Sequence, residues 1–112
     1  MENVLSYSKN DITITFVKDY QHNAYRIECD EKTKILRTSS NLSPTKNIYS
    51  MDSVILANPP MKSFVLKKND ILKVGVLFSN NPLPITIKIE SIFSLSNSEV
   101  VYVACSEEVN VK

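Results

Sequence analysis

One histidine, two cysteines and two pairs of adjacent carboxylates are the residues whose chemistry could go beyond packing: His22, Cys29, Cys105, Asp30-Glu31 and Glu107-Glu108. A thiol becomes a nucleophile when a nearby base takes its proton, so a Cys–His pair needs hydrogen-bond reach. His22 sits in DYQHN, a turn by composition, and is expected to be a solvated loop residue. Cys29 closes the strand that begins beside it, roughly 20 Å away at the rise of extended chain, so those two do not pair. Cys105 with His22 stays geometrically open. Adjacent carboxylates on a strand point to opposite faces, so both acidic pairs read as solvated turn charges rather than an acid–base couple. CxxC, HxH and HExxH spacings are all missing, so no metal site is expected. The single glycine, Gly75, leaves no material for a phosphate-cradling loop. No catalytic residue and no cofactor are expected, and the chain is read as not an enzyme.

The basic residues offer binding chemistry instead. Lys62, Lys67, Lys68 and Lys73 gather around Phe64, and Lys32, Lys34 and Arg37 form a second group. Small barrels grip single-stranded nucleic acid with a basic groove and stacking aromatics. Lys62, Phe64, Lys67, Lys68 and Lys73 are therefore the candidate face for nucleic acid, or for a small ligand in a barrel mouth. The other aromatics are mostly tyrosines, no RNP-like or GxxG motif accompanies them, and lysines at strand edges also keep foreign strands away. A formal net charge of +1 provides no global field to draw in nucleic acid or an anionic membrane. Nucleic-acid binding is the alternative here rather than the leading reading.

The elements that would position these groups are strands. In residues 63–92 the rows Leu72, Val74, Val76, Phe78 and Ile85, Ile87, Ile89 each alternate with other residues at a period of two. That period sorts side chains between two faces of extended backbone. The two runs form a hairpin across SNNPLP, where Asn tolerates left-handed angles and Pro fixes one dihedral. Leu83, between two prolines, is expected to fold back over the core. The other reading makes Asn81, Pro82, Leu83 and Pro84 a rigid exposed knob for a protein partner. DITITFV, AYRIEC and TKILRT read as a three-strand meander, NIYSMDSVILA as a strand broken at Asp52-Ser53, and VVYVAC as a strand buried in mid-sheet. Gly75 inside its strand is expected to mark a bulge or the seat of an aromatic ring. The echo between SKNDITITF and KKNDILKVGV is read as one turn solution used twice, Asn-Asp before a strand, rather than a duplication.

Totals bound the remainder. The chain has 112 residues, 43% hydrophobic and 22% charged, enough for one domain (1–112) with its own core. Two cysteines make no framework and are read as buried, reduced thiols. No secretory pattern opens the chain, and no apolar run approaches the ~20 residues of a membrane span, so a cytoplasmic address and no membrane association are expected. The run VLKKNDILKVGVLF…PITIKIESI resembles in outline the second, barrel domain of translational GTPases. The glycines that family uses at its turns are absent, and no function is carried from it. Short strands at regular spacing, with little or no helix, define an all-β fold: a small antiparallel sandwich or closed barrel of about seven or eight strands. The functional expectation is a non-catalytic protein-interaction module of the inhibitor, immunity or assembly type, such as phages and mobile elements carry. It would work through surface and edge-strand contacts with an unidentified protein or as a homo-oligomer, most simply a dimer.

Overall fold

Residues that alternate between apolar and polar leave water most cheaply as extended chain, and that rule builds the whole architecture. The computed structural model describes residues 4–38, 41–42, 48–78, 80, 83–95 and 99–109, and every regular element among them is a strand. In order these are β1 (Val4–Lys9), β2 (Ile12–Asp19), β3 (Ala24–Cys29), β4 (Lys34–Arg37), β5 (Asn41–Leu42) and β6 (Ile48–Met51). There follow β7 (Ser53–Asn58), β8 (Lys62–Lys67), β9 (Ile71–Val76), β10 (Ile85–Leu95) and β11 (Tyr102–Val109).

Six of them close into a barrel. The neighbours run β11–β3–β2–β1–β9–β10, and β10 pairs back onto β11. Registers place Leu5 opposite Phe16, Phe16 opposite Ile27, and Ile87 opposite Leu72. Residues directly opposite share a face, so these rows point inward together. Leu5, Ile12, Ile14, Phe16, Ile87 and Ile89 are completely buried. Each such side chain contributes about 1.5–3 kcal/mol on leaving water, and a barrel this small is filled by them.

β10 is the organiser. Its first half pairs with β9, its second half with β6, and most of its length, Ile85 to Phe93, with β11. Between Ile89 and Ser91 the ladder to β11 slips, leaving Glu90 as the extra residue of a bulge. The slip moves the inward rows from odd to even positions, so Ile87 and Ile89 before it and Ile92 after it all face the interior. The turn that follows β8 docks on the same spot: Asn69 donates to the Ile89 carbonyl at 2.7 Å and Ile89 donates to the Asp70 carbonyl at 2.9 Å.

A second sheet, β4–β7–β8, covers one end of the barrel. Its inner residues Val54, Leu56, Phe64 and Leu66 belong to the same buried cluster as the barrel's Ile12 and Ile89. The Tyr7 ring meets Phe64 edge-on at 5.9 Å, Asn10 donates to the Ser63 carbonyl, and Lys62 pairs with Asp11. The covered end is therefore the one marked by the β1–β2 turn. That turn is a two-residue hairpin with Asn10 and Asp11 both at positive φ, 54° and 64°, the combination that matches the twist of the flanking strands.

Several sequence expectations need correction. Residues 4–9 form a strand that alternation alone did not single out. The expected meander breaks after its second member: β3 pairs with β11, while β4 leaves to join β7. Phe78 does not extend the inward row of β9; it lies past the strand at φ 63° and 86% exposed. Leu83 does not cap the core, being 44% exposed. Gly75 marks neither a bulge nor an aromatic seat. It pairs regularly with Ser6, and a Cβ there would meet only the Ser6 carbonyl oxygen at 3.9 Å. The break at Asp52 is present, and its two halves serve different sheets.

Candidate functional site

Closure removes the edges of the barrel strands, so unpaired backbone is confined to what hangs outside it. Among the described residues β4 and β8 are the two edges of the small sheet. The β8 edge is partly occupied by the β1–β2 turn, through Asn10 on Ser63 and Asp11 on Lys62. The β4 edge is different. It borders an open groove of about 540 Å³, lined by residues 33–37 together with Cys29 and Glu99.

Both ends of β4 are pinned. At its start Asp30 accepts from the Thr33 hydroxyl at 2.7 Å and from the Lys32 amide at 3.0 Å, and Thr33 donates its amide to the Asp30 carbonyl. The Thr33 hydroxyl, with the two amides behind it, holds the Asp30 carboxyl below its ordinary pKa. At its end Arg37 donates to the Ser94 hydroxyl on β10 at 3.2 Å, and the Thr38 hydroxyl donates to the Ser53 carbonyl at 2.6 Å. The strand is thus a fixed edge rather than a loose one.

The outer face of the small sheet is apolar at its centre. Leu36 stands opposite Ile55, which stands opposite Val65. Leu36 is 47% and Val65 45% exposed. Lys34 and Lys67 flank this row at diagonal corners, and β4 itself, KILR, carries only cations among its charged residues. The Lys34 ammonium has no ion-pair partner among the described residues.

The candidate nucleic-acid residues do not assemble into one surface. Phe64 is 7% exposed, with Tyr7 against its edge and the Lys9 ammonium 5.8 Å from its centroid, so no base can stack on it. Lys62 is paired with Asp11. Lys67 points to the outer face of the small sheet, Lys68 lies in the following turn, and Lys73 stands on the barrel wall opposite Thr86. Of the loop whose alternative reading is a knob for a protein partner, Asn81 and Pro82 lie outside the described residues, while Leu83 and Pro84 are exposed.

The chemistry-bearing residues are likewise kept apart. His22 is not a solvated loop residue: its Nδ1 pairs with the Asp19 carboxylate at 2.9 Å and its ring packs 5.0 Å from Tyr102. That contact holds the Asp19 carboxyl below its ordinary pKa. Tyr102 stacks in turn on Phe93 at 5.4 Å. Cys105, three residues beyond Tyr102 on β11, faces the opposite side, inward beside Ile89. His22 and Cys105 therefore sit on opposite faces of one strand. Both cysteines are free, and they pair with different strands, Cys29 with Ile14 and Cys105 with Ile89. Burial pushes both thiols up to about 11, with Asp30 adding to the effect at Cys29 and Glu107 at Cys105. A thiol held protonated is a poor nucleophile. Between β3 and β11 the Tyr25 hydroxyl donates to Glu107 at 2.8 Å, and the Lys18 ammonium lies 5.1 Å from the Tyr25 centroid. Burial, with the Glu107 bond second, raises the Tyr25 phenol.

Among the described residues no cluster of three or more His, Cys, Asp or Glu side chains is arranged to hold a metal ion. No helix among them is long and apolar enough to cross a membrane. The architecture is thus a closed six-strand barrel with a small sheet over one end. Compared with protein-family models, curated proteins and solved structures, the chain matches none, so its site rests on its own geometry.

Proposed function

We propose that this chain is a non-catalytic protein-interaction module whose contacts are made by the small sheet. One observation carries the reading: a closed barrel presents no edge, yet the sheet attached to it offers β4, pinned at both ends, as an edge strand among the described residues, beside an open groove. Exposed apolar rows rimmed by polar residues are the usual signature of a contact surface, and Leu36, Ile55 and Val65 supply one next to that edge. Inhibitor, immunity and assembly factors act in this way, by surface and edge-strand contacts.

The partner is a different protein rather than a second copy. Pairing β4 with its own copy would join two strands whose charged residues are all cations, and like charges on paired strands repel. Nucleic acid is not the favoured ligand, because Phe64 is covered and Lys62 is neutralised.

The test is capture from the native host by the wild type and by two variants, with light scattering on the purified protein. Val65→Glu, on the apolar row, should lose the captured protein; Lys73→Glu, on the barrel wall, should keep it. A dimer in solution would overturn the choice of a different protein. A captured protein indifferent to Val65→Glu would overturn the surface. Saturable, salt-dependent binding of single-stranded DNA or RNA would favour the alternative.

A further inference from the structure

The groove beside β4 has a shape and a charge that specify what could occupy it. Five consecutive residues, 33–37, line it, and four of them, 34–37, are an edge strand. In an antiparallel pair, alternate residues turn their N–H and C=O groups away from the existing neighbour. Those of β4 that do not serve β7 have no neighbouring strand among the described residues, and the same residues line the groove. The four residues of β4 span about 13 Å at the rise of extended chain, the length of four to six residues of a partner.

We propose, resting on the interaction reading above, that β4 takes up an extended acidic segment of a different protein as an added fourth strand of the small sheet. Strand addition places each new residue directly opposite one of β4, on the same face. Lys34 and Leu36 face outward, Ile35 inward beside Leu56. The matching segment therefore carries an acid opposite Lys34 and apolar residues opposite Ile35 and Leu36. Opposite Arg37 a second acid or a polar residue fits, since that guanidinium already donates to Ser94. Read in either direction the core is acid–apolar–apolar–acid, because KILR is itself cation–apolar–apolar–cation. Parallel and antiparallel addition thus call for the same residues. Glu99 also lines the groove, where its charge opposes any further acid. The apolar residue opposite Leu36 would extend the row Leu36–Ile55–Val65 by one strand.

The probe is a blocked six-residue peptide, Thr-Glu-Val-Val-Glu-Thr, followed by amide shifts of residues 33–37 in the full chain and by fluorescence anisotropy. The expected result is saturable binding with shifts confined to β4 and its flanks. Lys34→Glu, at an exposed side chain, should weaken binding at least tenfold and let the lysine counterpart, Thr-Lys-Val-Val-Lys-Thr, bind in its place. N-methylation distinguishes backbone pairing from simple charge attraction. Methylating one alternate set of peptide amides should abolish binding and the other set should leave it intact. Equal binding of acidic and lysine peptides, or of both methylated forms, overturns the proposal. No binding by the acidic peptide also overturns it, while a Val65→Glu-sensitive partner in the capture experiment would leave the broader interaction reading standing.

Discussion

Leu56→Ala tests whether the small sheet and the barrel are one cooperative structure. Leu56 is completely buried, lies between Ile35 and Phe64 in register, and belongs to the same cluster as Ile12 and Ile89. Truncating it removes three carbons from a site walled by two sheets, which limits collapse. The loss expected of a fully enclosed leucine is about 3–4 kcal/mol, transfer and cavity together. A domain this size has about 5–15 kcal/mol in total, so roughly a fifth or more of its stability would go. At an m-value near 2 kcal/mol/M the urea midpoint should fall by about 1.5–2 M. Val65→Ala is the control, one strand away on the opposite face and 45% exposed. It should change stability by no more than about 0.5–1 kcal/mol. The assay is urea unfolding followed by far-UV circular dichroism and by tyrosine fluorescence of a Tyr7→Phe background, which reports on the barrel through Tyr25 and Tyr102. Both signals should move together. If Leu56→Ala lets part of the dichroism melt early while tyrosine fluorescence keeps its midpoint, the sheet is an independent appendage. The shared core, and the rigidity assigned to β4, would then be refuted.

Three further outcomes follow from the same geometry. Cys29 and Cys105 have folded-state pKa values of about 11 against 9 when unfolded. Their contribution is complete below pH 9 and is lost as pH rises from 9 toward 11, a loss that denaturant melts of Cys29→Ala and Cys105→Ala should reduce; fast thiol alkylation of the native protein at pH 7.5 would contradict it. Asp19, depressed by its bond to His22, contributes stability above pH 4 that disappears as pH falls below it. A carboxyl titration followed by NMR should show the Asp19 pKa rising toward its ordinary value in His22→Ala. Asp11 sits at φ 64°, so Asp11→Val should cost about 1–2 kcal/mol while Asp11→Gly leaves stability within about 1 kcal/mol of wild type, read by thermal melts.

Period-two alternation was enough to place β2, β3, β9 and the first half of β10, because those runs have one wet face. It failed where tertiary pairing decides. β1 reads VLSYSK, with Leu5 and Tyr7 facing inward and Ser6 and Ser8 alternating with them; its apolar row is too short to stand out until β2 and β9 flank it. Phe78 looked like the next inward residue of β9, but the chain turns at Leu77, which donates to the Val4 carbonyl. The bulge at Glu90 leaves no glycine or proline behind, only a change in the parity of the isoleucines from Ile89 to Ile92. The repeated Lys-Asn-Asp-Ile also behaves as two local answers rather than one unit. Asn10-Asp11 closes a hairpin, whereas Asn69-Asp70 docks a crossover onto β10. The Lys32, Lys34 and Arg37 group was visible as composition. What made it part of a candidate site was the departure of β4 from the meander, and no local feature of TKILRT announces that.

The position of the proposed contact follows from how the barrel closes. A strand in a closed barrel has both sides paired, so it can neither be extended by a partner nor aggregate along an edge. β10 is longer than the barrel needs, and its second half carries β6 and β5 outward; β7 begins two residues after β6 ends and turns into the small sheet. That sheet must bury one face on the barrel end, which Val54, Leu56, Phe64 and Leu66 achieve. Its other face and its two edges then have no barrel strand to meet. The β8 edge lies against Asn10 and Asp11. β4 is left as the strand where a hydrogen-bonding edge, an open groove and an apolar row coincide. Its lysine and arginine discourage a second copy from adding there, and the same charges give an acidic strand a reason to do so.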